Sequence, residues 1–218
     1  MDYYFTVERE AVGEYKEKGS KFLAYVFPME EESMLHGYLT NVKNEHPKAR
    51  HFCYAYRLKI KGEIYRLNDD GEPSGTAGKP IFGQILSFSL SDVLVVVVRY
   101  FGGTKLGASG LIQAYKSATE DGLLQAGQKI KYVCRKFDLT FPVSEMGHVF
   151  HVLKSNGVEV GETHFGEVNK LSFLIRLSLV DSILTGLKAG LLKVSLDQAK
   201  NTEGWGNFIV QEEENLIQ

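Results

Sequence analysis

The chain has 218 residues, with 25 lysines and arginines against 27 acids, a net charge of −2 and 44% hydrophobic residues. This excludes a disordered chain and one held to nucleic acid by its overall field, so any RNA contact must come from a local patch. Two cysteines, Cys53 and Cys134, outside any C-x-x-C pair, exclude a disulfide framework and a cysteine-based zinc site.

In chain order, residues 21–27 read as a strand. Residues 31–44 then read as a helix with Leu35, Tyr38, Leu39 and Val42 on one face, stopped by Pro47. Residues 52–58 and a returning strand with Ile64, Tyr65 and Leu67 form a hairpin around Lys61-Gly62. A polar loop, 68–78, leads to Pro80 in the first turn of a short helix carrying Ile81, Ile85 and Phe88. The apolar run 93–98 is long enough for a central strand but far too short to cross a bilayer. A glycine-rich corner follows, then a helix with Leu111, Tyr115, Ala118 and Gly122, stopped by Gly127. The order is β-α-β-β-α-β-α.

A second pattern begins near Tyr132. A strand with Phe137, Leu139 and Phe141 precedes a helix with Met146, Val149, Phe150 and Leu153, ended by Asn156-Gly157. Strands at 158–161 and 171–179 follow. A helix capped by Asp181 is expected to stop at Gly190, before a last strand over 191–196. This is the split βαβ order, βαββαβ, so two domains are expected, 1–130 and 131–218, in an α+β chain. The tail, with Trp205 and acids 212–214, reads as a frayed end unless Trp205, Phe208 and Ile209 pin it to a domain. Residues 1–5 lack the basic and apolar regions of a signal peptide, so a cytoplasmic protein without a membrane partner is expected.

Three segments are dense in chemistry. The corner holds Arg99, Tyr100, Gly102, Gly103, Lys105, Gly107, Ser109 and Gly110. It has a P-loop's glycine spacing, but Ala108 stands where the phosphate-binding lysine belongs; it also lacks G-x-G-x-x-G, and Leu111 breaks G-x-S-x-G. What survives is a site for a phosphate-like anion, with Ser109 as helix cap, or a corner that needs glycine for sterics alone. The loop Asp69, Asp70, Gly71, Glu72, Ser74, Gly75, Thr76 and Gly78 fails as a calcium loop, since Arg66 and Ala77 occupy ligand positions. Its carboxylates either serve acid–base chemistry or solvate a turn. His46 and His51, with Cys53, lack a fourth metal ligand at a telling spacing. No metal site and no cofactor are expected.

The ordered motifs His46-Pro47-x-Ala49-x-His51, then Asp69-Asp70-Gly71-Glu72-Pro73-Ser74-Gly75-Thr76-Ala77-Gly78-x-Pro80, then Arg99-Tyr100-Phe101-Gly102-Gly103-Thr104-Lys105-Leu106-Gly107 with Gly110-Leu111 and Ala114-Tyr115, resemble the IMPACT/YigZ family. The resemblance covers residues 19–127, and the chain's length resembles the two-domain bacterial branch. It implies a first domain with the ribosomal protein S5 domain 2-like α/β sandwich, followed by a ferredoxin-like domain similar to the last domain of a translation elongation factor. Eukaryotic members regulate translation by competing for a ribosome-associated activator of a starvation-sensing kinase. The resemblance therefore implies a non-enzymatic binding protein that contacts RNA, the ribosome or a translation-linked protein through residues 99–110. The alternative is a hydrolase or phosphate-handling enzyme using Asp70, Glu72, His51 and Lys105.

Overall fold

The computed structural model describes residues 2–217, with side chains through residue 213. The chain divides into two compact units, Tyr4–Lys131 and a second made of Asp2, Tyr3 and residues 132–217. Among the described residues no helix is long and apolar enough to cross a membrane.

The elements running from the start of the chain through the first unit are β1 (Tyr3–Val7), β2 (Ala11–Glu17), β3 (Ser20–Pro28), α1 (Leu35–Glu45), β4 (His51–Leu58), β5 (Ile64–Asn68), α2 (Gly78–Ser87), β6 (Val93–Tyr100) and α3 (Gly107–Ala126). An antiparallel sheet takes the order β2-β3-β6-β4-β5. The valine run is its central strand because it is buried on both faces. Val93, Val95 and Val97 pack with residues of α2 and α3, whereas Leu94, Val96 and Val98 pack with Phe27, Met29, Val42 and Tyr56. A strand covered on both sides loses polar alternation and reads as a continuous apolar run. Two strands precede the first one expected. β2 escapes the pattern because its exposed positions carry Glu14 and Lys16, the composition of a sheet edge.

The second unit's elements are β7 (Gln128–Pro142), which starts just before the boundary, α4 (Met146–Ser155), β8 (Val160–His164), β9 (Val168–Arg176), α5 (Val180–Leu192), α6 (Leu196–Asn201) and β10 (Ile209–Ile217). The strand order β10-β7-β9-β8, antiparallel throughout, is that of the βαββαβ fold, and β1 also pairs with β7. Phe137, Leu139, Phe141, Leu171, Phe173 and Ile175 form one sheet face, packed with Val149, Leu153 and Leu187.

Three expectations are corrected here. The strand predicted over 191–196 is absent: α5 continues to Leu192, Lys193 turns left-handed at φ 56°, and Ser195 caps α6 through a reciprocal capping box with Gln198. The fourth strand is instead β10, with Phe208 buried and Trp205 partly buried, so the described tail is anchored. Ile209 is 55% exposed and does not pin it. Asp181 lies in the first turn of α5 and does not cap it; Leu179 holds the N-cap position.

Candidate functional site

β6 runs antiparallel to β3 and β4, and β4 to β5. The end of β6 therefore lies beside the starts of β3 and β4 and the end of β5. Four connections, 18–19, 47–50, 69–77 and 101–106, converge at this end of the sheet. Register sets Arg99 between Phe22 and His51, and Tyr100 opposite Lys21.

The acidic loop is held by its own carboxylates. Asp69 accepts hydrogen bonds from the backbone N–H groups of Gly75 at 2.9 Å, Ala77 at 3.0 Å and Gly78 at 2.8 Å, and so satisfies donors at the start of α2. Burial pushes its pKa up, but the three N–H groups outweigh burial and hold it below the usual carboxylate range. Asp70, at φ 37°, accepts from Phe52 N–H at 2.7 Å, and its carbonyl accepts from His51 Nδ1 at 2.9 Å. A carbonyl only accepts, so Nδ1 is the protonated, donating nitrogen in this contact. Thr76 Oγ1 donates to the Pro73 carbonyl at 2.7 Å, while Gly71 and Ser74 sit at the exposed tip.

Glu72 points the other way, into the unit. Its side chain is 3% exposed, and Oε1 accepts from Arg99 at 2.6 Å and from the Tyr115 hydroxyl at 2.9 Å. Tyr115 lies 3.3 Å from Cys53 Sγ, which also reaches the Asp69 carbonyl at 3.0 Å. Burial pushes the Cys53 thiol up to about 12 and raises Tyr115 further, so both stay protonated. The Arg99 guanidinium lies between the rings of Phe22 and Phe101, 5.5 and 5.6 Å from their centroids. Arg99 is thus neutralised and buried, and offers no charge to solvent.

The glycines have separate duties. A Cβ on Gly102 would lie 1.9 Å from the Gly19 carbonyl carbon, so the corner closes on the turn between β2 and β3 only without a side chain; its N–H donates to Ser20 Oγ at 3.1 Å. Gly103 and Gly107 adopt φ of 87° and 72°. α3 begins at Gly107, two residues before the predicted cap: Ser109 lies in its first turn beside Gly110, and no side chain caps the helix. First-turn N–H groups lack intrahelical partners. Lys105 and Phe101 are exposed.

On the opposite sheet face His46 ties β6 to β3. Its Nδ1 lies 2.8 Å from the Tyr100 hydroxyl and its Nε2 2.5 Å from that of Tyr25, which also donates to Glu45 at 3.2 Å. Tyr25 is pushed to about 12, by burial first and then by Glu45.

His51, Asp69, Asp70, Glu72 and Arg99 are therefore brought together, while Lys105 stands apart in the exposed loop. Each loop carboxylate has a structural partner. Among the described residues, no group of three or more His, Cys, Asp or Glu is placed to hold a metal ion. Sequence reasoning missed Tyr115 and Cys53 as members of the Glu72 network, and the exposed cations Lys18, Lys48 and Arg50 on the converging connections. Only strand register could have joined them.

Residues 18–123 match the Impact N-terminal domain. The chain is 34% identical over 164 residues to the IMPACT family member YvyE of Bacillus subtilis, covering 75% of this chain and 76% of that one. It is 38% identical over 160 residues to an IMPACT family member of Thermus thermophilus, covering 72% and 84%. A crystal structure of a hypothetical protein superposes with a TM-score of 0.68 at 22% identity over 98% of both chains, a likeness of fold.

Proposed function

Because the chain belongs to the IMPACT family, we propose that it is a binding protein of the translation apparatus, contacting RNA phosphates, on the ribosome or free, through the rim around the glycine corner. The supporting observation is the charge balance of that rim. Lys18, Lys48, Arg50 and Lys105 are exposed on three of the four converging connections and have no ion-pair partner among the described residues. The neighbouring acids Asp69 and Glu72 are tied up internally. Free cations meet a polyanion, Phe101, 58% exposed, provides a stacking face, and the uncapped start of α3 adds N–H donors. Arg99 supports the rim from beneath and does not touch the ligand.

Fluorescence anisotropy with a 20-nucleotide single-stranded RNA, and co-sedimentation with purified ribosomes, test this at 50 and 200 mM salt. Binding should fall steeply with salt, and Lys105→Ala should lower the salt slope by about one. Combined Lys48→Ala, Arg50→Ala and Lys105→Ala should reduce affinity at least about tenfold at low salt. Full binding by the folded triple variant would remove the rim from the account. A pull-down from lysate with and without nuclease separates RNA-borne association from a translation-linked protein partner.

A further inference from the structure

The two edges of the first unit's sheet are finished differently. β2 is guarded by charge, with Glu14 holding Lys16 at 2.5 Å and Lys21 at 2.8 Å, the kind of protection that keeps an edge from accepting another strand. β5 lacks it. No strand among the described residues pairs with its outer side, and Tyr65 is 58% and Leu67 39% exposed. Both lie on the α2 face, opposite Arg57 and Ala55. The Tyr65 ring stacks on Phe82 of α2 at 5.1 Å, and one turn further along α2 Leu86 is 47% exposed. An apolar strip thus borders a row of backbone donors and acceptors that no neighbouring strand satisfies.

We propose that β5 is a docking edge for an extended segment of a protein partner, added as a further strand with apolar side chains over Tyr65 and Leu67 and an acidic residue near Arg66. Charge selects this occupant. Arg66 and Lys79 are exposed and have no ion-pair partner among the described residues, so the edge offers two cations to an acidic side chain. A second copy fits poorly. The antiparallel register that lays Tyr65 of one copy on Leu67 of the other also sets Arg66 directly against its own counterpart, and like charges so placed repel. Backbone pairing would supply affinity and the alternating side chains selectivity.

The test uses the full chain and a fluorescein-labelled heptapeptide of alternating threonine and valine with glutamate at its third position. Saturable binding is expected. It should weaken at least about tenfold with combined Tyr65→Asp and Leu67→Asp, and as much when alternate peptide amides are N-methylated, which removes the strand donors. Arg66→Glu should weaken it too, with recovery when the peptide's glutamate is replaced by lysine. No saturable binding, or equal binding of the N-methylated peptide, overturns the proposal. So does a wild-type dimer in sedimentation that Tyr65→Asp dissolves, which would assign the edge to a second copy. Circular dichroism confirms that the variants are folded, and unchanged RNA binding by them keeps this result separate from the rim's.

Discussion

The two units handle charge in opposite ways. In the first, ionisable groups are taken inside: Arg99, Glu72, Tyr115 and Cys53 at one end of the sheet, and Asp92, Lys131 and Tyr4 elsewhere, with Lys131 Nζ 3.2 Å from Asp92. In the second, the ion pairs of the sheet reach solvent through at least one partner: the half-exposed Lys170 holds the buried Asp138 at 2.7 Å, and Lys136 holds the exposed Glu213 at 3.0 Å. Removing one partner of a buried pair strands a charge in a poorly solvating interior, whereas an exposed partner is replaced by water. The same residue types therefore help fix the shape of the first unit and, Asp138 apart, lie at the surface of the second.

The largest effect is expected for Arg99→Ala, which leaves the Glu72 carboxylate without its cation and should destabilise the first unit by about 3–5 kcal/mol. Trp205, the sole tryptophan, lies in the second unit, so its fluorescence during urea unfolding should report an unchanged transition while far-ultraviolet circular dichroism shows the early loss. Coincident transitions would break the contrast. Gly102→Ala drives a methyl into the Gly19–Ser20 backbone and should cost about 1–3 kcal/mol by the same assay.

Asp69→Asn should cost about 0.5–2 kcal/mol at neutral pH, the range for a lost helix cap. The folded pKa of Asp69 is depressed, so its contribution is full above the ordinary carboxyl value of ~3.9 and disappears as pH falls through the lower folded value. The variant should lack that part of the acid slope, and identical slopes would show that the loop does not depend on the charge. Smallest is Lys136→Ala, expected to cost under about 1 kcal/mol because both it and its partner Glu213 reach solvent. A loss matching that of Arg99→Ala would abolish the comparison.

Much of the fold was legible wherever periodicity is local. The valine run, the alternation through Leu171, Phe173 and Ile175, and the glycine stop after α3 each appear within a dozen residues. The strands β2 and β10 were not legible, because their exposed positions carry charged side chains that break the apolar alternation. In β10, Glu212 and Glu213 looked like tail charge and are ion-paired to Arg135 and Lys136. The site was legible as three motifs but not as a pairing. Arg99 and Lys105 looked like companions because they are near in sequence, yet the odd residues of β6 face the core beneath α2 and α3, and continuing that parity from Val97 puts Arg99 on the same side, beside Tyr115 and Glu72. Its true partner, Glu72, lies 27 residues upstream, and Cys53 meets Tyr115 across 62 residues, distances that only register bridges.

The convergence of four separate connections at one sheet end has a consequence for divergence. Each connection is tethered at a point already satisfied inside the unit, by Asp69, Glu72, Ser20 or His46, while its tip is left to solvent. A lineage can therefore exchange Lys18, Lys48 or Lys105 one tip at a time, and so change what the surface meets, without disturbing the frame that presents it. Descendants with unlike partners would share their tethers and differ at their tips.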